Sequence, residues 1–128
     1  MDLALSPEYE AFRDETAAFL AKHASNAPSA SDRGMKHPKR LAWQALLIEH
    51  GFAARTIPEK YGGYGAAPDI LKSRIIAETF AQSGLPGGLA GQGISMLVPT
   101  LLELGTEDQK QKWIAPTLRG EIVWCQGY

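Results

Sequence analysis

The side chains able to do chemistry are few and scattered. His23, His37 and His50 have no ligand-like spacing to one another or to Cys125. Because Cys125 is the single cysteine, an internal disulfide and a multi-cysteine zinc site are both excluded. It stands between Trp124 and Gln126 with no base nearby in sequence, which reads as a buried strand thiol rather than a nucleophile. Arg74 and Glu78 are spaced i, i+4, the spacing of a surface ion pair on a helix. No second acid or base accompanies Glu78, so acid–base catalysis lacks a partner group. The basic run Lys36-His37-Pro38-Lys39-Arg40 could touch phosphate, but it reads more simply as a solvated loop and helix start. No catalytic residue and no metal site emerges.

The densest signal is instead a stretch poor in side chains. Gly84, Gly87, Gly88, Gly91 and Gly93 crowd one loop, and the apolar run Ile94, Met96, Leu97, Val98, Leu101, Leu102, Leu104 follows directly. It is not a phosphate loop: no Gly-Lys-Ser/Thr follows, and Met96 stands where a dinucleotide fingerprint after Gly91-Gln92-Gly93 needs glycine. Two readings stay open. The helix is buried outright behind a plain connector, or one flank of it faces an apolar ligand. From the residues alone the connector is the stronger reading.

These residues must be positioned by an ordinary small protein. The chain has 128 residues, 45% hydrophobic and 21% charged, which suits one globular domain. With 13 basic and 14 acidic residues the net charge is −1, which argues against a general nucleic-acid or anionic-membrane binder. The N-terminus lacks the basic start and apolar core of a signal peptide, and no run is long enough to span a bilayer. A reduced, cytoplasmic setting is the expectation.

Helical punctuation dominates. Ser6 and Pro7 open a first helix with Glu8 and Glu10 in its first turn, and Tyr9, Phe12, Phe19, Leu20 and His23 share a face. Residues 25–37 read as a loop. Pro38 starts a second helix that ends at Gly51 and is apolar round most of its circumference. A glycine-tyrosine loop, residues 59–68, leads to a third helix from Pro68 to Ser83 with Ile70, Leu71, Ile75, Ile76 and Phe80 inward. The glycine-led helix is the fourth and ends at Gly105. Thr106 and Gln109 have capping-box spacing, and Pro116 is expected to split the last helical region in two. Residues 121–128, EIVWCQGY, are β-branched and aromatic and read as a strand that these residues cannot pair by themselves. The expected class is all-α: a bundle of about five to six helices with a short C-terminal strand. Residues 1–120 form the helical domain, and 121–128 are the first strand of a missing middle β domain.

Several stretches in order resemble the N-terminal helical domain of the acyl-CoA dehydrogenases. They are Ile57-Pro58-Glu59-Lys60-Tyr61-Gly62-Gly63 with Gly65, Leu104-Gly105-Thr106-Glu107-Asp108-Gln109-Lys110, Leu118-Arg119-Gly120-Glu121, and Trp124-Cys125-Gln126-Gly127-Tyr128. The resemblance implies an oxidoreductase of fatty acid metabolism that binds FAD and converts an acyl-CoA thioester to a trans-2-enoyl-CoA. It also implies electron-transfer flavoprotein or a similar acceptor, and a homodimer or homotetramer. By position, Leu89, Gln92, Met96 and Pro99 would wall the acyl pocket, while Gln126 and Tyr128 would belong to the flavin site. Gly88 and Gly91 would leave space for a branched or ring-bearing acyl group. The family's catalytic glutamate and most of its FAD contacts have no counterpart here, so the isolated chain is expected to be inactive. Two alternatives keep the residues but change the role: a related flavin-dependent oxidase or monooxygenase, or a non-enzymatic helical binding module.

Overall fold

The computed structural model describes residues 4–127, and every described regular element is helical. The elements are α1 (Pro7–His23), α2 (Pro38–His50), α3 (Ile70–Ser83), α4 (Val98–Leu104) and α5 (Glu107–Leu118). Short 3-10 turns occupy Ala24–Asn26 and Glu59–Tyr61, and a π-helical turn occupies Gly93–Leu97. The chain sorts into two compact units: residues up to 27 with 68–87, and residues 28–67 with 88 onward.

In the first unit α1 packs on α3. Thr16, Phe19 and Leu20 are buried on one helix and Ile75, Thr79 and Phe80 on the other. Asp69 caps α3 by accepting from the Lys72 N–H at 3.1 Å, and Tyr9 donates its hydroxyl to the same carboxylate at 3.2 Å. That shifts the start of α3 two residues past the expected Pro68. Ile70 and Leu71 do not point inward: Ile70 is 87% exposed and Leu71 43%. Five helical positions turn Ile70 roughly 140° away from Ile75, onto the opposite side of the helix. Ser6 holds the cap position of α1 without a side-chain cap bond. Arg74 and Glu78 form the exposed ion pair, at 3.1 Å.

The second unit is built round Tyr61, Val98, Ile114 and Leu118, with Ile48, Ala54, Ile57, Leu101 and Leu102 packed against them. α2 buries Trp43, Gln44 and Leu47, and it ends at Gly51. Its start is capped by the His37 ring, whose Nδ1 accepts from the Lys39 N–H at 3.1 Å. The capping box of α5 is complete: Gln109 N–H reaches Thr106 Oγ1, and Thr106 N–H reaches Gln109 Oε1.

Three expectations are corrected here. The fourth helix is not continuous, because five residues at its start form a π turn in which the Val98 N–H reaches back to the Gly93 carbonyl. Pro99 sits in the first turn of α4 and has no N–H to offer Ser95, so a wider register just before it is the local solution. Pro116 does not divide α5; it stands in the last turn, where only the bond to the Lys112 carbonyl is forfeited. The Pro116 carbonyl closes the turn by accepting the Glu121 N–H at 3.0 Å. Finally, no strand forms over residues 121–127, since a strand exists only with a ladder partner and none of the described residues supplies one. Cys125 is consequently exposed rather than a buried strand thiol.

The Pro-Glu-Lys-Tyr-Gly-Gly motif serves the fold. Tyr61 is 4% exposed and donates its hydroxyl to Glu107 Oε2 at 2.7 Å. A side-chain bond from Gln111, and then the one from Tyr61, hold the Glu107 carboxyl below its ordinary value of 4.5. A depressed carboxylate contributes stability above its unfolded value and loses it as pH falls through the folded one. Tyr61→Phe is therefore expected to lower stability at pH 7. The gap to the native chain should narrow as pH falls below 4.5 and close once Glu107 is protonated in the folded state, whose value lies lower still. Urea unfolding at pH 7 and pH 3.5 checks this; a gap that stays constant would contradict it.

Candidate functional site

The second unit holds a pocket of about 640 Å³. One side is the loop from Leu89 to Ile94; another is the end of α5 with Gly120, continued by residues 122–126; Met35 and Arg40 complete the rim. Its shape depends on Gln44, which is 2% exposed in the middle of α2. The Gln44 amide donates to the Leu118 carbonyl at 2.8 Å and accepts the Leu89 N–H at 2.7 Å. One side chain thus ties the glycine loop to the end of α5.

The opposite wall is set by Trp124. Its indole N–H donates to Thr117 Oγ1 at 2.8 Å, and Thr117 donates in turn to the Trp113 carbonyl at 2.7 Å. The two indoles meet edge to face with ring centroids 5.6 Å apart. Glycine is needed beneath them: a Cβ on Gly93 would lie 2.6 Å from Trp124 Cδ1 and 2.9 Å from Thr117 Cγ2. Gly120 (φ +78°) is constrained both by backbone and by space, since a Cβ there would meet Leu41 Cδ2 at 3.0 Å.

Of the residues expected at a site, Leu89, Gln92 and Gln126 line this one pocket. Met96 and Pro99 do not: Met96 is 51% exposed and Pro99 is exposed on the first turn of α4. The wall takes Gly93 and Ile94 from the π turn, while Met96 lies further along that turn and Pro99 beyond it. Tyr128 lies outside the described residues. Gly91 lines the pocket with open space where a Cβ would stand, whereas Gly88 packs on its own chain, 2.9 Å from Ala53 Cβ. Gln44 has no role in the sequence reading, Trp124 enters it only within a family-resembling stretch, and Arg40 only within the basic run of residues 36–40. For Gln44 the signal was present: a lone amide inside the apolar stretch Leu41–Ile48 has to find partners if the helix is central.

The electrostatics suit binding rather than proton transfer. No aspartate, glutamate or histidine is among the lining residues. Glu121, just beyond Gly120, is held below the usual carboxylate range by the paired bonds from Arg119 at 2.9 and 3.0 Å. No group of three or more metal-ligating side chains comes together among the described residues. For a flavin the described residues offer only Gln126 from the expected pair, and one amide does not make a site for FAD. The surface can therefore hold an apolar body and orient it with amides, and no carboxylate or imidazole lines it to remove a proton.

The described residues form a helical fold with an apolar pocket at a glycine loop, and comparison with known proteins gives its family. The sequence model for the acyl-CoA dehydrogenase N-terminal domain matches residues 6–121. The chain belongs to the acyl-CoA dehydrogenase family. It is 28% identical to acyl-CoA dehydrogenase IpdE1 of Mycolicibacterium smegmatis over 128 aligned residues, covering 94% of this chain and 32% of that protein. A solved structure described as the Tcur3481-Tcur3483 steroid ACAD superposes with a TM-score of 0.64 at 25% identity, covering 96% of this chain and 32% of the other. The ChsE4-ChsE5 complex from Mycobacterium tuberculosis gives a TM-score of 0.66 over 95% of this chain and 30% of the other; at 22% identity that likeness bears on the fold. The chain spans about a third of the length of the relatives it matches.

Proposed function

We propose that this chain is the N-terminal portion of an FAD-dependent acyl-CoA dehydrogenase and that its pocket is one wall of the acyl site. The observation that carries the reading is the joining of Leu89, Gln92 and Gln126 round one apolar pocket in a chain of this family. In the whole protein, residues 1–120 would be the helical domain and 121–128 the entry to a β domain. FAD would accept the hydride of an α,β-dehydrogenation that yields a trans-2-enoyl-CoA. The task of these residues is to exclude water from the acyl chain and fix its position, since two C–H bonds must be aligned for the reaction. A dimer or tetramer, a cytoplasmic location and electron-transfer flavoprotein as acceptor belong to the same reading. The isolated chain would be inactive, because its pocket has no base. A bulky acyl group fits the open space at Gly91 and the steroid description of one structural neighbour.

Anaerobic titration of the full-length flavoprotein with acyl-CoA esters tests the proposal. Bleaching of the flavin with enoyl-CoA formation is the expected result. Leu89→Trp, which reduces the pocket without touching the strained backbone at Gly91 (φ +135°), should raise KM for bulky esters more than for butyryl-CoA. Peroxide released in step with turnover would instead indicate an oxidase. Equal losses for long and short esters would remove the pocket from the acyl site.

A further inference from the structure

Arg40 is the one charged side chain among those lining the pocket. It stands in the first turn of α2, half-buried, and its Nη1 donates to the Gly34 carbonyl at 3.3 Å. That long bond to a neutral acceptor engages one of the five N–H donors of a guanidinium. Asp32 lies 4.0 Å from the Lys39 ammonium, and Glu121 pairs with Arg119 at 2.9 Å. Among the described residues no carboxylate pairs with Arg40. The walls beside it are apolar at Leu89, Ile94 and Trp124. A cation placed at the rim of an apolar hollow, with most of its donors uncommitted to the protein, matches a ligand that is greasy along its body and anionic at one end.

We infer that Arg40 is the specificity-determining residue of this pocket and receives a carboxylate carried at the far end of the bound acyl chain. The inference rests on reading the pocket as an acyl site and narrows its substrate class to acyl thioesters bearing a second, distal carboxylate. The planar guanidinium fork can take both carboxylate oxygens at once, which lysine cannot. Gly34 serves to hold the fork at the rim.

Cys125 provides the readout, because it lines the same pocket, is exposed, and is the only cysteine of the chain. Its alkylation by iodoacetamide, a neutral reagent that does not compete for Arg40, is followed at pH 7 with octanoate, methyl octanoate or free coenzyme A present below any micelle concentration. Octanoate is expected to protect Cys125 at roughly one-tenth the concentration required of the ester, the selectivity of one charge-assisted pairing. Arg40→Met should abolish that preference, and Arg40→Lys should keep only part of it. Equal protection by acid and ester in the native chain would overturn the role of Arg40 while leaving the acyl pocket standing. So would a preference for octanoate that survives in both variants. Protection by neither probe would overturn pocket and inference together. Protection by coenzyme A alone, dependent on Arg40, would make the residue a phosphate contact and refute the distal carboxylate.

Discussion

Gln44→Leu is expected to cost about 2–4 kcal/mol of folding stability, the range for leaving two buried hydrogen-bonding groups without partners. The replacement keeps the side-chain size but removes both halves of the clamp. The Leu118 carbonyl is one of the groups that a helix end leaves without an intrahelical partner, and Gln44 supplies its bond. The Leu89 N–H lies in a loop with no ladder or helix to satisfy it and relies on the other end of the same amide. The bond to the Leu118 carbonyl is buried, so water cannot take it over without opening the structure. Denaturant unfolding measures the loss, and a change under about 0.5 kcal/mol, the size of an ordinary surface effect, would show the clamp to be inconsequential.

Gln44→Glu refines the same argument. A carboxylate still accepts from the Leu89 N–H, but it faces the Leu118 carbonyl with no proton to give. Burial and that repulsion should raise the folded pKa of the new glutamate above its unfolded value. A raised carboxyl contributes its stability at low pH and loses it as pH rises through the folded value. The variant should therefore approach the native chain in acid and fall behind near neutrality, the reverse of the Tyr61→Phe trend. Gln44→Leu should show no such pH dependence, because it adds no titrating group.

The contrast between these two sites marks what could be read from the sequence. Signals complete within one turn were legible: Thr106 with Gln109, Pro38 at the start of α2, Gly51 at its end. Each rests on bonds between residues a few positions apart. Gln44 is bonded to residues 45 and 74 positions away, a pairing that no local pattern encodes. Arg40 reads as part of a solvated basic run because its sequence neighbours are basic and the chain is near neutral, yet of that run it alone lines the pocket. Pro99 and Pro116 depart from expectation in opposite directions. The first is preceded by a π turn inside an expected continuous helix, and the second sits so close to a helix end that it breaks nothing. The strand expected at the C-terminus was a reading of β propensity, which describes a surface ready to pair and does not supply the partner. Leu89, Gln92 and Gln126 were named through family resemblance; spacing could not have joined them, since they meet only by the return of the chain after α5.

Gly93→Ala is expected to release Trp124 from its seat and to cost about 1–3 kcal/mol, the usual range for overpacking a filled site. The glycine carries no left-handed backbone, so the substitution isolates close approach from conformational strain. One added methyl group would press on the Trp124 ring at 2.6 Å and on the Thr117 methyl at 2.9 Å. Thr117 is 2% exposed and fixed by its bond to the Trp113 carbonyl, which leaves the indole as the group able to move. Its displacement would break the Nε1–Thr117 bond and the edge-to-face contact with Trp113 together. Tryptophan emission should shift to longer wavelength and the pocket should open on the Trp124 side. Thr117→Val provides the comparison: it deletes the acceptor while retaining the methyl contact, so it should weaken the indole bond without the steric push. If Gly93→Ala leaves both emission and stability at native values, Trp124 does not pack on the π turn and the wall of the pocket is formed some other way.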